Sequence, residues 1–175
     1  AGGDQGHIWR PLPASLQHLA ARIFGREPAV FRGLNLGLHL LNLGLLSLWI
    51  RRRSSAVVTG LLVTLWATHA TLTEAISWSS DIYDLAACSI ALLMLWGLDR
   101  AKSTAIRSGI VGLGVLGACL CKESSVALVG LVWIMLWLQP PKNLSKRGRI
   151  PIGGAALAGA AAWHFWHGQV TIDSY

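Results

Sequence analysis

Three carboxylates, Glu74, Asp81 and Asp84, stand in a stretch between Arg53 and Arg100 that contains no Lys or Arg. An apolar run over 56–68 leads into His69, Thr73, Glu74, Trp78, Asp81 and Asp84, and a second run over 85–98 leads away. Ionisable groups at the edge of a bilayer are costly unless they face protein or water, so this cluster is the first place to look for function. If the helix continues through it, Glu74 and Trp78 are four residues apart and share a face. A carboxylate beside an indole suits a sugar, whose apolar face stacks on the ring while its hydroxyls bond the acid. A solvated Glu beside an interfacial Trp gives the same pattern, and both readings stand. The spacing of His69, Glu74, Asp81 and Asp84 matches no strong metal-ligand signature. No cofactor is therefore expected, a divalent cation being the remaining option.

Two further positions carry chemistry. Arg10, in Trp9-Arg10-Pro11-Leu12, precedes a proline that fixes the backbone, so its guanidinium is aimed. It suits a phosphate through paired hydrogen bonds, or a lipid headgroup as a plain anchor. Lys122 and Glu123 are adjacent at the tip between two apolar runs. Neighbours in sequence do not face each other on a helix, so each is expected to find a different partner. Lys122 is the second candidate for a phosphate. Asn35, His39 and Asn42 fall on one helix face and read as interhelical hydrogen-bonding groups rather than ligand contacts.

These residues need elements to hold them, and composition says which kind. The chain has 175 residues, 53% apolar and only 13% charged, with nine Trp and a mean hydropathy of +0.51. Soluble domains carry about a quarter charged residues, and Trp favours the membrane interface. The net charge of +7 is split into short basic clusters between apolar runs, the pattern of cytoplasmic loops rather than of a nucleic-acid-binding face. Nucleic acid is therefore excluded as a partner. Cys88, Cys119 and Cys121 lie within apolar runs and read as small hydrophobes.

Six stretches qualify as spans, over 33–50, 55–71, 85–98, 104–121, 124–138 and 150–166, the third and fifth being short. Residues 7–32 alternate apolar and polar side chains at near-helical spacing and read as an amphipathic helix lying in the interface. The fold expected is all-α, a polytopic integral membrane helical bundle with an interfacial amphipathic helix. Residues 1–32 form an outer or lumenal loop, and 33–175 a transmembrane bundle of about six helices. Basic loops at Arg51 to Arg53, Arg100 to Arg107 and Lys142 to Arg149 are placed in the cytoplasm. That brings Arg10, the acidic cluster and Lys122-Glu123 to the opposite face. Small-residue stripes, Gly109-Leu113-Gly117 and Ala156-Ala160, are expected at close helix contacts.

Trp9-Arg10-Pro11-Leu12, Phe24-Gly25 with Pro28, Phe31, Asn35 and His39, then His69 with Thr73-Glu74-Ala75, Trp78 and Asp84-Leu85, and finally Cys121-Lys122-Glu123 recur in an order that resembles the GT-C membrane glycosyltransferases. The likeness is to the tetratricopeptide-bearing protein O-mannosyltransferases and their bacterial relatives, and it extends to about Leu138. It implies transfer of a sugar from a polyprenyl-phosphate donor to a protein or glycan acceptor, in the bacterial inner membrane or the endoplasmic reticulum. Membrane lipid is the other partner. It also implies that the catalytic Asp precedes Ala1, this chain being a fragment of a longer one. Arg10, His69, Glu74, Trp78, Asp84, Lys122 and Glu123 would then bind substrate. The chain departs from the family where His-Pro becomes His69-Ala70 and where Ile82 replaces an Arg. The alternatives are a transporter or channel subunit, with the acidic cluster as a cation vestibule, and a non-catalytic packing subunit of a larger complex.

Overall fold

Seven α-helices and one short 3₁₀ segment make up the computed structural model, which describes residues 10–69, 81–141 and 144–172. They are α1 (Pro11–Phe24), α2 (Pro28–Arg51), α3 (Ala56–Ala67), α4 (Ile82–Arg100), α5 (Thr104–Cys121), the 3₁₀ segment Glu123–Ala127, α6 (Leu128–Leu138) and α7 (Lys146–Ile172). The fold is all-α. Three helices, α2, α4 and α5, are long and apolar enough to cross a membrane, while α3 and the Glu123–Leu138 stretch are apolar but shorter. At 1.5 Å per residue, α4 reaches about 28 Å, close to the thickness of a hydrocarbon core. Large apolar side chains cover the outside, among them Leu40, Leu61, Leu113, Trp137 and Leu138. That surface suits contact with lipid tails.

Local chemistry explains most boundaries. Ser55 caps α3 by accepting from the Val58 N–H, and Ser103 caps α5 through Ile106 in the same way, each supplying a partner for an orphan donor of the first turn. The expected amphipathic helix over 7–32 is divided. Gly25 adopts φ 91°, a region open to glycine, and Pro28 then takes the first position of α2, where its missing N–H costs nothing. So α2 begins five residues before the expected position 33. What remains, α1, turns Leu12, Leu19 and Ile23 outward while Pro13 and Ala20 are buried. The third span is longer than its apolar run, because the helix starts at Ile82 and draws Asp84 into its first turn.

The bundle closes on an apolar core that includes Leu98, Val111, Val115, Val132, Leu136 and Ile152, and specific interhelical contacts fix how its helices meet. Along α2, Asn42 donates to the Leu85 carbonyl of α4 at 3.0 Å, and the Ser89 hydroxyl donates to Asn42 Oδ1 at 2.6 Å. This is the interhelical role expected for that face, worth about 0.6–2 kcal/mol per bond in an apolar surround. His39 stacks on Trp66 of α3, 5.6 Å between ring centroids. Between α5 and α7, which run in the same direction, Gly159 packs directly on the Gly112 carbonyl, and a Cβ on Gly112 would lie 3.2 Å from the Ala155 carbonyl oxygen. Ala156 and Ala160 are buried there as expected. Of the Gly109-Leu113-Gly117 stripe, Gly117 faces Ile90 of α4, while Leu113 is 72% exposed and Gly109 has open space beside it. Gly112 lies about 100° around the helix from Leu113, and it is that side which meets α7.

Candidate functional site: a charged cluster at the Asp84 end

Because α4 leaves and α5 arrives at the same end of the bundle, Asp84 and Lys122 come together from opposite strands of an antiparallel pair. Lys122 Nζ lies 2.6 Å from each Asp84 carboxylate oxygen. Each charge sits on the helix end that favours it. Asp84 is in the first turn of α4, and Lys122 directly follows the last turn of α5, so the helix dipoles support the pair.

Arg10 completes the cluster from the far end of the chain. Its Nε donates to one Glu123 oxygen at 3.0 Å and its Nη2 to the other at 2.5 Å, a fork-on-carboxylate geometry. The guanidinium also lies 4.9 Å from the centroid of the Tyr83 ring, within range for a cation–π contact. As the residue that opens α1, Arg10 meets the positive end of that helix dipole, and Glu123 offsets this cost. The hydrogen bonds from Arg10 hold the Glu123 carboxyl below the usual carboxylate range, against an upward push from burial. Reciprocally, the Glu123 bond raises the Arg10 guanidinium further.

Beside the Lys122–Asp84 pair lies an open cavity of about 340 Å³, into which Cys88, Ser124 and Ser125 also face, with Leu128 and Leu131 as an apolar wall. The arrangement offers one ammonium, one carboxylate and two hydroxyls at the mouth of an apolar slot. It can bind a polar or anionic group attached to something apolar. Among the described residues, no group of three or more His, Cys, Asp or Glu side chains is placed to hold a metal ion.

Of the residues singled out by sequence, Arg10, Asp84, Lys122 and Glu123 form one cluster, and Lys122 and Glu123 do have different partners. His69 follows the end of α3, exposed, with its backbone N–H on the Trp66 carbonyl. Asp81 precedes α4 without a side-chain cap bond. Glu74 and Trp78 lie outside the described residues. Sequence reasoning missed Tyr83, Ser124 and Ser125. Tyr83 was legible in retrospect: one residue before Asp84, it must point about 100° away around α4, toward whatever element packs on that side. Comparison of the chain with protein-family models, with curated proteins and with solved structures finds no match in any of the three.

Proposed function

We propose that the Asp84 end is the substrate face of a GT-C-like membrane glycosyltransferase that uses a polyprenyl-phosphate sugar. The reading rests on the order of motifs in the sequence. The single observation that supports it best is the meeting of Arg10, Asp84, Lys122 and Glu123, from three distant parts of the chain, beside a cavity with an apolar wall. In such a reaction an acceptor hydroxyl attacks the anomeric carbon and the lipid phosphate leaves with the bonding electrons, while a base takes the hydroxyl proton. The resemblance assigns that base to a residue outside these 175.

The geometry shifts the phosphate assignment. Arg10 was the first candidate, but both arms of its fork are taken by Glu123. Lys122 borders the cavity instead, so a lipid phosphate would compete with Asp84 for its ammonium. His69, Glu74 and Trp78 remain assigned to the sugar and acceptor side of the site. The face is lumenal or periplasmic by the distribution of basic loops.

A second reading, a non-catalytic packing subunit, is favoured by one specific fact: each cation of the cluster already has a carboxylate. Removal of the charges, singly and together, separates the two. In the full-length protein, Lys122→Gln should weaken binding of a polyprenyl-phosphate sugar roughly tenfold or more, as expected for loss of a charge-assisted hydrogen bond. The double variant Asp84→Asn with Lys122→Gln, which leaves neither charge without its partner, should recover thermal stability but not donor binding. Recovery of both, or donor binding indifferent to Lys122→Gln, would sink the enzymatic reading and leave a staple.

A further inference from the structure

The opposite end of the bundle holds a second polar cavity, of about 650 Å³, lined by Arg52, Arg53, Asp99, Gln139, Pro140 and Pro141. It lies where α2, α4 and α6 all finish. Arg53 is a fixed post within it. Its Nη2 bonds both Asp99 oxygens at 2.6 Å, its Nη1 bonds the Trp49 carbonyl, and its plane lies 4.2 Å from the Trp49 ring centroid. A guanidinium has five N–H donors, so Nε–H and one Nη1–H are left over after these bonds. Asp99 is spent on Arg53. Arg52, in the same cavity, is exposed and has no protein partner among the described residues, which gives the cavity a net positive charge.

The surroundings identify the kind of anion. Trp49, Trp96 and Trp137 each sit in the closing turn or two of a helix that ends here, the level at which indoles mark a membrane–water boundary. Arg100 stacks on Trp96, 4.2 Å from its centroid. Trp137 and Leu138, next to the lining residue Gln139, are both strongly exposed and apolar. A ligand filling this cavity thus meets an unspent guanidinium on one side and a lipid-facing apolar ledge on the other. We infer that the cavity is a binding site for the phosphate of an anionic phospholipid, held by Arg52 against the fixed edge of Arg53, with its acyl chains along the Trp137–Leu138 ledge. The inference rests on the membrane reading of the three long helices and is independent of the glycosyltransferase proposal.

The test is a thermal-shift titration of the purified full chain in neutral detergent with phosphatidylglycerol and, separately, phosphatidylcholine. Phosphatidylglycerol should stabilise at concentrations several-fold lower than phosphatidylcholine. Arg52→Gln should weaken the phosphatidylglycerol response about fivefold, the worth of one basic residue near an anionic surface, and leave the phosphatidylcholine response unchanged. Arg52→Glu, equally exposed and polar, should abolish the preference. Arg22→Gln, at the other end of the bundle, should change neither. Equal responses to the two lipids, or a preference that survives Arg52→Glu, would overturn the proposal. So would equal stabilisation by glycerol phosphate, which has the phosphate and lacks the chains, because the site would then belong to a soluble phosphate compound.

Discussion

Both ends of the bundle join helices through carboxylate–cation pairs, but they shield those pairs differently. At the Arg53 end the carboxylate of Asp99 is only 10% exposed and its partner is clamped on an indole. At the Asp84 end the Lys122 and Asp84 side chains are 30% and 51% exposed. An ion pair in water is worth little and opens easily, whereas one partly withdrawn from water is expensive to break, because the survivor is left with an unsolvated charge. The same chemistry thus serves as a rivet at one end and as an openable latch at the other. Only a latch can exchange its carboxylate for a ligand's phosphate, and the proposed substrate site at the Asp84 end relies on that. At the Arg53 end, the rivet frees Arg52 to take the ligand instead.

The comparison presumes that the helices keep one spacing from end to end, and the largest expected effect comes from spoiling it. Gly159→Val would drive a branched side chain into the Gly112 backbone. Both partners are main chain and cannot give way, so a loss of about 1–3 kcal/mol or more is expected. Thermal unfolding in detergent would measure it; an unchanged midpoint would mean that α5 and α7 are not in backbone contact.

Next in size is the rivet. Asp99→Asn keeps the shape and removes the charge facing Arg53, and should cost about 1.5–3 kcal/mol. The matching change at the latch, Asp84→Asn, should cost no more than about 1 kcal/mol, because the Lys122 left behind is already 30% exposed. If Asp84→Asn proves the more damaging, the contrast between the two ends is reversed, and the site would have to be reread as structural.

The smallest effect is a pH dependence at Glu123. The folded pKa of Glu123 lies below its ordinary value of 4.5, so in acid the unfolded chain binds the proton first. Its contribution is fully present above that ordinary value and is lost as pH falls through the lower, folded one. Melting curves between about pH 6 and pH 3 should therefore fall more steeply for the wild type than for Glu123→Gln. Identical slopes would mean that the Arg10 fork is not formed in solution.

How much of this was legible in the sequence depends on the range of the interactions involved. The limits of α5 were readable because Ser103 and Lys122 are local stop signals around an apolar run. The start of α2 was not, because Gly25 and Pro28 read equally well as a kink in one amphipathic helix or as a corner between two. That Arg10, Asp84 and Lys122-Glu123 share one end followed from counting spans and basic loops. Which cation pairs with which carboxylate did not follow, since it depends on how α1 lies across α4 and α5. The Arg53–Asp99 pair went unread, although Asp99 is the only acidic residue between Asp84 and Glu123 and stands among basic neighbours. Close packing was anticipated at the small-residue stripes and occurs at Ala156, Ala160 and Gly117, but the residue of α5 that meets the α7 backbone, Gly112, was not picked out. Periodicity says which residues share a face; only the partner's position says which face is used.

The seating of Gly159 on Gly112 has a consequence for biogenesis. The helices that meet there are not consecutive: α6 is made between them and packs on α7 from another side, with Trp133 against Gly153. During synthesis the notch along α5 is complete while α7 is still in the ribosome. For that interval it is a docking groove open to any helix with small residues, from this chain or another. The order in which helices leave the translocon, rather than their final stability, then decides whether the groove receives α7.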